Sequence, residues 1–221
     1  MATTLIQIQE GIAGFLDNTA SAAPSTGAAW ARRTGYINRA QQEWSEVFDW
    51  RNLYKEYNAV VSAPSGMTSY AMPADFRRPA GHPIRDGEKY SVITAFTKVD
   101  MVAGDRIAWV LGTPGSYTLV MRWNTVAAGL ASLTVPYYST PTALSTTGAI
   151  SPCPDPEYLI AKAIAMELRS LVKDHESAGR EDARADLILR RMIETENVPS
   201  YGTENRIIAS DEKRGFIFGQ D

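Results

Sequence analysis

The sequence predicts an α+β chain. N- and C-terminal helices form a discontinuous antiparallel helical bundle, a central antiparallel β-rich insertion lies between them, and an extended C-terminal tail follows. Three observations carry this expectation. Residues 27–53 hold one apolar seam at helical period, with Trp30, Ile37 and Trp44 seven residues apart. From Tyr54 the period changes from 3.6 to 2, and strand-like runs alternate with turn signals as far as Pro141. Helical period then returns at Asp155-Pro156. Helices on either side of a β region bury their apolar faces by meeting one another. The expected parts are residues 1–53 (N-terminal helices), 54–150 (β-rich insertion), 151–196 (C-terminal helices) and 197–221 (tail).

Residues 3–18 read as a first amphipathic helix. Leu5, Ile8, Ile12, Phe15 and Leu16 fall on one stripe, and Thr3 or Thr4 is available as the cap. Gly11 and Gly14 weaken it by about 1 kcal/mol each relative to alanine. The small polar run 18–27 is a loop. In the second helix Ala40 and Val47 join the tryptophan seam, while Arg32, Arg39, Gln42, Glu43 and Glu46 fall mostly opposite it. Pro24-Ser25-Thr26-Gly27 offers hydroxyl caps, and Phe48-Asp49-Trp50 makes a corner at the exit.

Tyr54 to Val61 reads as a strand, Pro64-Ser65-Gly66 as a turn, and Ser69 to Met72 as the returning strand of a hairpin. Pro73-Ala74-Asp75-Phe76 is a sharp turn. HPIRDGEKY (82–90) suggests a strand with an Asp86-Gly87 turn, and SVITAFTKVDMVAG (91–104) fits either a strand or a short helix. Arg106–Leu111 and Tyr117–Trp123 are strands around a Gly112-Thr113-Pro114-Gly115 turn, and Leu130–Tyr138 is another after a break at Gly129.

Asp155-Pro156 is an N-cap and N1 pair for a helix that is apolar on more than one stripe, from Leu159 to Val172, and hence largely covered. Residues 175–179 are expected to break it. A last helix to about Glu196 presents Ala185, Ile188, Leu189 and Met192, with Asp186 and Arg190 as an i,i+4 pair. Asn197 to Asp221 has no usable period, yet it carries the apolar runs Ile207-Ile208 and Phe216-Ile217-Phe218, unlike a purely disordered segment. It reads as a segment that orders on a partner, with a reach of roughly 80 Å when extended.

The 221 residues carry a formal net charge of -3, which argues against a strong electrostatic grip on nucleic acid or anionic membranes. A single cysteine, Cys153, fits a reducing compartment. No apolar run of membrane-spanning length and no signal-peptide pattern is present, so the expectation is a soluble intracellular product. No catalytic constellation is visible, and no cofactor is expected. His82 and His175 stand alone as surface histidines, without metal-ligand spacing around them. Cys153, between two prolines, reads as a packing residue rather than a nucleophile. Glu194 and Glu196 lie on different helix faces. The basic doublets Arg32-Arg33 and Lys213-Arg214 read as solvated faces or inter-subunit salt bridges rather than a DNA-gripping stripe.

Taken in order, several elements form a recognisable series. A helix ends in Phe48-Asp49-Trp50, and a strand leads to Met72-Pro73-Ala74-Asp75-Phe76-Arg77-Arg78. A strand–glycine–strand unit ends in Tyr137-Tyr138-Ser139-Thr140-Pro141, and a helix pair begins at Pro154-Asp155-Pro156 before a loose tail. Over residues 3–196 this order resembles the head–tail connector proteins of tailed bacteriophages, the adaptor or head completion proteins, including the tail tubular protein A type. The resemblance implies a virion protein of the neck that is made in the host cytoplasm. It would form a ring of typically twelve copies between the portal protein and a tail, stopper or nozzle protein, with DNA passing through the centre. It assigns portal docking to the tail, with Ile207, Ile208, Phe216, Ile217 and Phe218 as anchors. Arg32, Arg39, Glu43 and Glu46 then become an inter-subunit or lumen-facing surface. A stopper or tail-terminator protein, an enzyme with a β-sandwich substrate domain, and a non-catalytic α+β binding domain are the alternative readings.

Overall fold

A computed structural model of the chain describes residues 3–62, 66–93, 106–123 and 130–197. Among these the chain is mixed α+β, with four helices and two sheets. Helix α1 (Leu5–Leu16) begins at Thr4, where the Gln7 side chain reaches back to accept from the Thr4 N–H at 2.9 Å. Leu5, Ile8 and Ile12 are fully buried as their spacing predicts. Phe15, expected on the same stripe, is 51% exposed. The buried arc extends toward Gln9 and Ala13 instead, which leaves Phe15 at its margin. Gly11 has a packing role: a Cβ there would lie 2.6 Å from Ile160 Cδ1, so the glycine lets the two helices approach closely.

Helix α2 (Ala28–Val47) starts from Gly27, and no hydroxyl caps it, contrary to expectation. Gly27 N is held instead by Pro24 O at 2.8 Å in a turn. Trp30, Ile37, Ala40 and Trp44 are buried as the seam predicts, whereas Val47 at the stripe's edge is 54% exposed. The helix stops at the Phe48-Asp49-Trp50 corner. Trp50 stacks on Trp44 with centroids 5.0 Å apart and donates its Nε1–H to Trp44 O at 2.8 Å. A 3-10 turn, Arg51–Leu53, leads into the sheets.

The first sheet contains β1 (Tyr54–Ser62), β3 (Phe76–Pro79), β4 (Ile84–Arg85), β5 (Glu88–Lys89) and β9 (Leu130–Ser139), with β9 pairing β1, β3 and β4. The second runs β2 (Gly66–Ala71), β8 (Ser116–Trp123), β7 (Ile107–Thr113), β6 (Ser91–Val92). Two expectations are corrected here. β1 and β2 do not pair as a hairpin: they belong to different sheets, because each finds its long partner far along the chain, β1 on β9 and β2 on β8. The β region is also not purely antiparallel, since β6 runs parallel to β7. Both predicted tight turns are present. Asp86 and Gly87 have φ of 48° and 81° between β4 and β5, and Gly112 and Gly115 have φ of 115° and 83° around the β7–β8 turn. Pro64-Ser65, Gly129 and residues 94–105 lie outside the described residues. A core drawn from both sheets includes Phe76, Leu119, Met121, Leu133 and Val135, with Phe76 stacked on Tyr137 at 5.5 Å.

Helix α3 (Pro156–Glu167) is capped by Asp155, which accepts from Glu157 N at 3.0 Å. It is buried on nearly all sides, as its multiple apolar stripes predict. A π turn, Leu168–Val172, follows and ends at Lys173 in the left-handed region, φ 61°. It turns Leu171 and Val172 outward to 53% and 59% exposure, although the sequence places them in the covered helix. The break therefore comes at Lys173-Asp174, ahead of residues 175–179, which form the first turn of α4 (His175–Asn197). Asp174 accepts from Ser177 N at 3.0 Å there. Asp186 lies 3.4 Å from Lys162 on α3, and among the described residues it makes no Asp186–Arg190 pair. All four helices contribute to one core, which also takes in Trp50, Leu53, Leu144 and Cys153.

Candidate functional site

Helix α2 packs against α1 and α3 and holds several neighbouring segments through polar side chains. Its apolar side enters the helical core, and three polar residues within or beside that side hold neighbouring segments. Arg33 is 3% exposed and clamps two carboxylates. Its Nη1 and Nη2 meet Asp17 Oδ2 and Oδ1 at 2.7 and 2.9 Å, and its Nε meets Glu167 Oε2 at 2.9 Å. Arg32 Nη2 donates to Glu167 Oε1 at 2.9 Å. The cluster ties the end of α1, the first third of α2 and the end of α3 together. Bidentate, charge-assisted bonds of this kind fix orientation as well as adding energy. The paired guanidinium of Arg33 holds the Asp17 carboxyl below the usual carboxylate range, and Asp17 in turn raises the Arg33 guanidinium above its ordinary value.

Further along α2, Asn38 pairs with the backbone of Leu144 in both directions: Nδ2 to Leu144 O at 3.0 Å, and Leu144 N to Oδ1 at 2.7 Å. Gln41 Nε2 donates to Thr142 O at 3.0 Å, and its Oε1 accepts from Ser151 Oγ at 2.8 Å. These contacts lay the segment after β9 along α2. At the helix's C-terminal end, Arg77 from β3 donates to Ser45 O and Arg78 pairs with Asp49.

The outward side of α2 carries three of the four residues expected at an assembly surface. Arg39 (72% exposed side chain) pairs with Glu43 at 3.1 Å, and Gln42 Nε2 donates to Glu46 Oε1 at 3.2 Å. This ridge is flanked by two hollows of about 300 and 360 Å³, both lined in part by Arg39. One lies against Met166, Arg169 and Asp182, the other against Thr140, Pro141 and Ala143. Arg32 stands apart from the ridge, with its guanidinium turned to Glu167. Arg33 is therefore the buried centre of an intrachain ion cluster, not a solvated or inter-subunit residue, and Arg32 joins the cluster through Glu167 with its side chain 32% exposed. Seam spacing could have found it, because Arg33 sits between Trp30 and Ile37 on the buried stripe. Ile207, Ile208, Phe216, Ile217, Phe218 and the Lys213-Arg214 doublet lie outside the described residues.

Among the described residues no three of His, Cys, Asp and Glu come together to hold a metal, and no helix is long and apolar enough to cross a membrane. His82 and His175 are exposed and far apart in sequence, and His82 Nδ1 lies 3.2 Å from Tyr90 O. Cys153 is buried in the helical core, and burial pushes its thiol up to about 12. Its Sγ–H donates to Asp155 O at 3.3 Å. A thiol so rarely ionised is a poor nucleophile.

Comparison with known proteins adds one finding. A family model described as SU10 adaptor protein matches residues 3–205. A search of curated proteins gave no match.

Proposed function

This chain belongs to the SU10 adaptor protein family, a phage adaptor family, and on that premise we propose that it forms a ring between the portal and the tail. The ring extends the DNA channel and offers the tail its attachment surface, as a structural rather than catalytic part of the virion neck that is assembled in the host cytoplasm. The observation that carries the reading is the extent of the match, which spans both helical parts and the sheets between them.

The molecule's physical character supports it. Twelve copies around a lumen must let DNA slide without holding it, and a chain of net charge -3 provides no dense field of cations for phosphates to grip. A ring needs two different faces on each copy that fit one another. The Arg39–Glu43 and Gln42–Glu46 ridge, with a hollow on each side, is one such face, toward a neighbour or the lumen. Asn197 to Asp221 is the segment that reaches the portal, anchored by its apolar runs.

The test is to mix the protein with portal particles and image them by negative stain. The expected result is an added ring on each portal, absent with a chain ending at Glu196 whose far-UV circular dichroism is unchanged. If the truncated chain still adds a ring, the tail is not the portal anchor. A stable free ring without portal would favour a stopper or tail-terminator role lower in the neck.

A further inference from the structure

The first sheet ends on one side in β1, nine residues and about 30 Å of strand, whose outer edge pairs with nothing among the described residues. Folded proteins normally blunt such edges by shortness, charge, proline or a bulge. The opposite end of this sheet does so: β5 is only Glu88–Lys89. β1 does not. Its register with β9 runs unbroken from Tyr54↔Tyr138 to Ser62↔Leu130, and it contains no proline. Its two charged residues lie at its start and are already engaged, Lys55 with Asp75 and Glu56 with the Tyr54 hydroxyl. The outer face near its far end is apolar and bare. Val60 is 72% and Leu130 79% exposed, and they are diagonal neighbours, since Val60 faces Ser132 and Leu130 faces Ser62.

The course of α4 indicates what reaches this edge. Arg184 pairs with Glu157 in the first turn of α3, so α4 passes the start of α3 and continues about 20 Å further to Asn197. At that same end Pro152 O accepts from Asn52, immediately ahead of Leu53 and β1. Helix α4 thus runs out past the start of α3, the end of the helical core at which Asn52 leads into β1. The run Arg206-Ile207-Ile208-Ala209-Ser210 lies within about 30 Å of fully extended chain from Asn197.

We propose that the β1 edge accepts residues 206–210 of a second copy as an added strand. In an extended strand Ile207 and Ile208 point to opposite faces, so one covers the Val60–Leu130 patch and the other seats against the inner face. Strand addition draws affinity from backbone hydrogen bonds and selectivity from such side chains. The proposal rests on the ring reading above and gives it a contact. Every copy donates one segment and receives one, a head-to-tail link between unlike surfaces, which moves Ile207 and Ile208 from the portal to the neighbouring copy and leaves Phe216 to Phe218 as the portal anchors.

The test is disulfide trapping in the full chain without portal, at high protein concentration. Buried Cys153 does not compete. Val60→Cys and Ile208→Cys, placed on separate chains and mixed, are expected to give a covalent dimer under mild oxidation. Lys89→Cys mixed with Ile208→Cys is expected to give none. No dimer, equal trapping at Lys89, or a bridge only when both cysteines share one chain would overturn the proposal. A chain ending at Asp211 separates the two readings. It should still trap at Val60 while losing the portal, whereas portal binding that survives the truncation with trapping intact would count against the portal reading alone.

Discussion

Arg33→Met tests whether the buried ion cluster holds the helical core together. Arg33 is 3% exposed and makes two short bonds to Asp17 and one to Glu167, whose own side chain is 5% exposed. Removing one partner of a buried ion pair costs about 3–5 kcal/mol, mainly because the remaining charge is left without compensation. Two features hold the cost here to the lower end. Arg32 stays 2.9 Å from Glu167, and Asp17, 44% exposed, can turn to water. The expected loss is about 3 kcal/mol. With a urea slope of about 2–3 kcal/mol per molar, the midpoint should fall by about 1 M in unfolding followed by far-UV circular dichroism and tryptophan fluorescence. Glu167→Gln alone should also destabilise, and the double variant should fall short of the sum by more than about 1 kcal/mol because the two residues share one network. A loss under about 1 kcal/mol for Arg33→Met at unchanged slope would refute the clamp and reduce it to a surface-type pair.

Three further outcomes follow from the same geometry. Asp17 titrates below the usual carboxylate range because of Arg33, so its contribution is present above the unfolded value near pH 4 and is lost as pH falls through the folded one. Acid unfolding of Asp17→Asn should accordingly flatten below about pH 4, by no more than about 1 kcal/mol for so exposed a group. Cys153 should resist a thiol reagent at pH 8 in the folded protein and react at once in denaturant, and fast labelling of the native chain would contradict its burial. Arg39→Glu should leave the unfolding midpoint within about 0.5 kcal/mol of the parent yet reduce ring addition in negative stain, with partial recovery on Glu43→Arg; full ring addition by the single variant would remove the ridge from the assembly surface.

Local signals were legible where one residue decides the conformation. The Asp155-Pro156 cap, the Asp86-Gly87 turn, the Gly112–Gly115 turn and the tryptophan seam of α2 all rest on dihedral preference or a repeated spacing, and all sit where the sequence places them. Pairing was not legible. β1 and β2 are separated by three residues in sequence and look like a hairpin, but the partner of each lies roughly fifty or more residues away, and no local pattern encodes that choice. The break at Lys173 was missed because a left-handed lysine has no sequence signature of the kind glycine provides. The ridge at Arg39, Glu43 and Glu46 could be placed from spacing alone. The edge of β1 could not, since an edge exists only once the strand order is known.

The end of α2 shows how the sheets are fixed to the helices. The last carbonyls of a helix lack intrahelical partners and carry its negative dipole. In this chain two of them are met by side chains from outside the helix, Trp44 O by the Trp50 indole and Ser45 O by the Arg77 guanidinium. Arg77 belongs to β3, which pairs with β9, and β9 carries β1. The guanidinium is largely buried, and burial pulls its pKa down; a guanidinium nonetheless stays protonated in proteins, so the charge on the helix terminus is permanent. Asn38 and Gln41 add a second anchor by holding the segment that follows β9. The α2 ridge and the β1 edge are therefore mounted on one frame rather than on parts free to pivot. In the proposed ring, a subunit that presents one surface to its neighbour while another reaches a different protein requires that frame, because any rotation between the two would be repeated at every position.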